Sequence, residues 1–83
     1  MTIEIKDTAI QNIVNGLKIF KENQKYWSNL AEEAKRDDET AWMANGFETK
    51  SEMNRYAAFA SYQLLAEIST EFYEMVKNEV EAN

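Results

Sequence analysis

TKSEMNRYAAFASYQLLAEISTEFYEMVKNEVEAN, residues 49–83, decides how the rest of the chain must be arranged. It holds neither proline nor glycine, the two residues that interrupt helices most often. At 100° per residue, Leu64, Leu65, Ile68, Phe72, Met75 and Val76 share one face. Tyr62, Ala66, Tyr73 and Val80 widen that face, and Phe59 and Tyr56 carry it further round. The apolar arc spans on the order of 200°, about twice what a surface helix with a single neighbour needs. Two packing partners are therefore expected for this helix.

Thr49 and Glu52 have the spacing of a capping box, in which a hydroxyl and a carboxylate satisfy first-turn amides reciprocally. Gly46 is a natural stop for a preceding helix. The spacing thus predicts one helix over about 49–81, roughly 45 Å long at 1.5 Å per residue. Opposite its apolar arc lie Glu67, Glu71, Glu74 and Glu81. Like charges at such spacings cost a helix a little. The row reads either as a solvated face or as a surface offered to a basic partner.

Moving outward, Thr2 to Lys6 alternates polar and apolar residues, with Ile3 and Ile5 on one side. No second strand pattern follows, so an extended arm over 1–7 is expected, laying both isoleucines on the helices. Thr8 and Gln11 form another capping-box spacing, with Asp7 favourable at the helix N-terminus. The helix they open, about 8–36, keeps a seam of Ile10, Ile13, Leu17, Phe20, Gln24, Trp27, Ala31 and Ala34. Gln24 is the polar member and needs hydrogen-bond partners if buried. Gly16 costs about 1 kcal/mol there relative to alanine. Ile19, Tyr26 and Leu30 form a second, thinner stripe on the back.

Asp37, Asp38 and Glu39 read as the turn, with Asp38 capping a short helix over about 39–45 that buries Trp42 and Met43. Phe47 precedes the next cap as its apolar staple. The expected architecture is all-α: two long antiparallel helices joined by a short one, in a single domain. A hairpin cannot bury both faces of both helices. Dimerisation into a four-helix arrangement would cover Ile19, Tyr26 and Leu30 on one helix and Tyr56, Phe59, Tyr62 and Tyr73 on the other. The alternative is a monomer in which arm and short helix cover them.

Composition narrows the function. The 83 residues include no histidine and no cysteine. That removes Cys–His and Ser–His nucleophile systems, disulfides and thiolate metal sites, and fits a cytoplasmic setting. No membrane-length apolar run and no signal-peptide pattern appears. A net charge of −6 opposes direct contact with nucleic acid or anionic membranes. Glu71 and Glu74 match the first carboxylate pair of the helical nucleotide pyrophosphatases, but no second pair follows them. No catalytic, metal or cofactor residue is therefore assigned.

In size and acidity the chain resembles the small inhibitors that phages and mobile elements encode against host machinery, anti-CRISPR proteins and DNA mimics among them. That resemblance implies a protein partner with a basic, nucleic-acid-binding groove. Its carboxylate contacts would be Glu67, Glu71, Glu74 and Glu81, with Asp37, Asp38 and Glu39 as a second cluster, all acting partly through steered encounter. The second reading is a structural homodimeric bundle in which the aromatic stripe is the seam and the acids are solvated.

Overall fold

A computed structural model describes residues 7–82. They form three α-helices, α1 (Asp7–Lys35), α2 (Ala44–Ile68) and α3 (Thr70–Glu81), with a 3₁₀ turn at Ala41–Met43. Among the described residues the fold is all-α, without a strand. Ile3, Ile5 and the expected arm up to Lys6 lie outside the described residues.

Thr8 lies inside α1 and does not cap it, since Asp7 is already helical. Gln11 turns forward to Asn15, its side-chain amide donating to Oδ1 at 3.0 Å. The turn after α1 is built by Asp37, not by Asp38. Asp37 Oδ1 accepts from the Glu39 N–H at 2.9 Å, and its carbonyl accepts from Ala41 N–H at 2.8 Å. Thr40 Oγ1 donates back to the Ala34 carbonyl at 2.9 Å, tying off the end of α1.

The expected short helix over 39–45 is thus a single 3₁₀ turn that leads straight into α2. Gly46 does not end a helix: it lies inside α2, and no glycine has positive φ. Thr49 does not cap one either. Its hydroxyl donates to the Asn45 carbonyl one turn back at 2.9 Å, and Glu52 pairs with Arg55 at 2.7 Å. A glycine permits a helix stop without requiring it. Here tertiary contact keeps the turn helical: Ala44 is buried, and Phe47 stacks on Trp27 with centroids 5.8 Å apart. Trp42, expected inside, is 76% exposed, because the 3₁₀ turn points it away from both helices.

The larger correction falls within 49–81. The helix breaks at Ser69, whose backbone is extended (φ −165°, ψ 123°), and α3 starts anew from it. The Ser69 hydroxyl accepts from the Phe72 N–H at 3.2 Å, an N-cap. Glu71 places a carboxylate in the first turn, favourable to the helix dipole. The Ser69 N–H still donates to the Leu65 carbonyl at 2.9 Å, and its own carbonyl accepts from Tyr73 at 3.0 Å. The break therefore sacrifices few backbone bonds.

α1 and α2 run antiparallel. Ser51, buried in α2, donates to the Gln24 carbonyl at 3.0 Å, and Lys35 pairs with Glu48 near the turn. It is the backbone of Gln24, not its side chain, that meets a partner in the seam. α3 folds back along the hairpin, joining a core of Val14, Leu17, Leu65, Phe72, Val76 and Val80. The result is a rod of 58 × 22 × 15 Å.

Candidate interaction surface

The seven carboxylates singled out in the sequence are all exposed, but they do not form one surface. Glu67 sits on α2; Glu71, Glu74 and Glu81 sit on α3, beyond the Ser69 break. The row drawn on a continuous helix is therefore cut. Within α3 the remaining three share the outward face, since Phe72, Val76 and Val80 take the inward one. Asp37, Asp38 and Glu39 lie at the α1–α2 turn, the end of the hairpin opposite Ser69.

The seven residues expected at a self-association seam also divide. Ile19, Tyr26, Tyr56 and Phe59 are more than half exposed. Leu30, Tyr62 and Tyr73 are half-buried. Tyr62 meets Tyr73 edge-on across the α2–α3 contact, centroids 5.7 Å apart. Burial raises the Tyr62 phenol pKa, and the neighbouring Glu81 charge adds to the effect. Lys77, beside the Tyr73 ring, has its pKa raised by that tyrosine. These two tyrosines belong to the packing of a single chain.

What the residue pattern did not single out is the far side of the hairpin from α3. There, Ile13, Gly16, Leu17 and Phe20 of α1 face Ser61, Leu64, Leu65 and Ile68 of α2, with Phe72 closing one end. They line an open apolar groove of about 390 Å³. Leu64 and Ile68, counted toward the core of a continuous helix, are 64% and 53% exposed. The break at Ser69 explains this: a helix that turns back can cover only one side of the helix it leaves. The legible signal was the heptad spacing of Ile13, Phe20 and Trp27 beside Gly16.

The groove lies on an uncharged surface. At 100° per residue, every charged side chain of α1 from Asp7 to Ala34 falls within an arc of roughly 120°. That arc faces away from Ile13, Gly16 and Phe20. In α2 the run YAAFASYQLLA, residues 56–66, carries no charge on any side. A helix apolar all round is normally buried all round. Here α1 and the short α3 cover only part of it.

On the α3 side, Lys18, Lys21 and Lys25 line a polar recess of about 480 Å³ together with Gln24, Ser28 and Val80. α3 ends there, and its C-terminal dipole favours those cations. No group of metal-ligating side chains is drawn together among the described residues, and none of their helices is long and apolar enough to cross a membrane. No family model, curated protein or solved structure matches the chain.

Proposed function

We propose that the chain acts by binding another protein chain and not by catalysis, with the contact made on the uncharged face of the α1–α2 hairpin. The observation that carries this reading is the exposure of Leu64 and Ile68 beside the groove, in a helix whose run from Tyr56 to Ala66 lacks any charge. Exposed apolar surface contiguous over several residues marks interaction sites in soluble proteins. The lack of histidine and cysteine in the whole sequence supports a role without nucleophilic chemistry.

The test is the double variant Leu64→Lys with Ile68→Lys. Both side chains are mostly in water in the single chain, so the helical signal and melting temperature should stay close to wild type. The protein bound during native expression should be lost from the variant. A variant that unfolds would place these residues in the core, and one that keeps its partner would move the contact elsewhere.

A second reading rests on the outward carboxylates of α3 and the net charge of −6. Glu71, Glu74 and Glu81 can meet a basic groove built for phosphates, as an acidic inhibitor of a nucleic-acid-handling protein would. Reversing Glu71 and Glu74 to lysine should then slow association with such a partner and remove its salt dependence. Unchanged rates would eliminate this reading and leave the apolar one standing.

A further inference from the structure

We infer that the occupant of the apolar groove is a second copy of this chain, paired about a two-fold axis; this rests on the protein-binding reading above. Three observations converge on a copy. The first is area. The chain exposes 6443 Å², whereas a compact monomer of 9.7 kDa exposes about 5,100 Å². The excess of about 1,300 Å² belongs to the elongated chain as a whole, and it leaves room for the roughly 800 Å² that each partner buries in a standard dimer.

The second is charge. With fifteen acidic against nine basic residues, the chain as a whole repels its own image. Across the groove, Ile13, Phe20, Leu64 and Ile68 carry no charge, so two copies can meet there without like-charge contact. The third is Gly16. A Cβ built on it would meet nothing within 4 Å, and its φ is not positive. Nothing among the described residues requires glycine there, although it costs a helix about 1 kcal/mol relative to alanine. A helix approaching closely from outside would require it, and a two-fold pairing over Gly16 and Ser61 supplies that helix.

The rival within the chain is the segment 1–6. Extended, it reaches roughly 20 Å, and the groove begins only about 9 Å along α1 from Asp7. Its apolar residues are Met1, Ile3 and Ile5, too few to cover a groove that runs from Ile13 to Phe20 on α1 and from Ser61 to Ile68 on α2.

Sedimentation of the full chain from about 1 to about 100 μM tests the pairing, since micromolar affinity separates these concentrations. The wild type should sediment at twice the chain mass. Leu64→Lys places the charge at the seam twice and should raise the dissociation constant at least about 100-fold, with helicity retained. Gly16→Gln should be neutral or favourable to folding, because the site is open in the single chain, yet should weaken the dimer. A wild type that is monomeric at the highest concentration overturns the pairing, as does a Gly16→Gln or Leu64→Lys chain that dimerises normally.

An apolar dye separates the ways of failing. A monomer that binds the dye leaves the groove open for a different protein, and only the second copy is refuted. A monomer that excludes the dye until Ile3→Ser and Ile5→Ser are introduced has its groove filled by its own segment. That result refutes both the pairing and the protein-binding reading.

Discussion

The two halves of the rod solve the burial problem differently. In the half that α3 covers, the buried residues are large: Val14, Leu17, Leu65, Phe72, Val76 and Val80. In the half toward the α1–α2 turn they are small: Ala31, Ala34, Ala44 and Ser51. Three helices enclose a volume that bulky side chains can fill. Two helices meet only along a line, and only small residues disappear from water on that line while letting the backbones approach. Larger side chains beside such a seam stay partly wet, as Trp27 and Phe47 do while stacking on each other. Ser51 is part of the same device, since its hydroxyl hydrogen-bonds to the facing backbone of Gln24 within the contact.

This contrast can be broken by mutation. Leu17→Ala, in the three-helix half, should cost about 2–5 kcal/mol by chemical denaturation, a transfer loss plus a cavity. A cost below about 1 kcal/mol would mean that α3 does not close over it. Ala31→Leu, in the seam, should cost about 1–3 kcal/mol through overpacking. Were it stabilising instead, the two helices would not be in close contact there.

Ser69→Ala sharpens the comparison by testing what holds α3 to its half. Loss of the N-cap should cost about 1 kcal/mol, with protection lost first in the amides of 70–81. Equal loss along α1 and α2 would mean that α3 unfolds only with the whole. The smallest effect is expected in alkali. Tyr62 has its phenol pKa raised by burial, and Lys77 has its ammonium pKa raised by Tyr73. Both groups hold their protons longer folded than unfolded, so their contribution is complete below the ordinary values, about 10 to 10.4. It is lost as pH rises through the raised ones. Stability should fall above that range, and Tyr62→Phe should remove the tyrosine share. A fall of the same size in the variant would assign it elsewhere.

Legibility followed the same division. The helical class was evident from a chain without proline and with two glycines. So was the antiparallel pairing of its first and second long segments, because a short connection leaves little choice. The seam through Leu17, Ala31 and Ala34 was read correctly from its spacing. The groove was not legible as such: of the residues singled out for self-association, Ile19, Tyr26, Tyr56 and Phe59 stand exposed but do not line it, while Tyr62 and Tyr73 pack within the chain. Leu64 and Ile68 were placed on the wrong side of the account, because periodicity gives the breadth of an apolar arc and not which part a neighbour covers.

By itself the sequence determined that these residues coil into helices, that the helices carry more apolar surface than one partner hides, and that no histidine or thiol chemistry is present. Local propensity and composition act over a few residues, and they suffice for such statements. Only the tertiary structure decided that Gly46 and Thr49 would be helical and that Ser69 would not. Each choice lies within a few kcal/mol of its alternative, as a cap or a turn of helix typically does. What tips it is remote: Phe47 finds Trp27, and Phe72, Val76 and Val80 find Val14, Leu17 and Leu65 once α3 turns back.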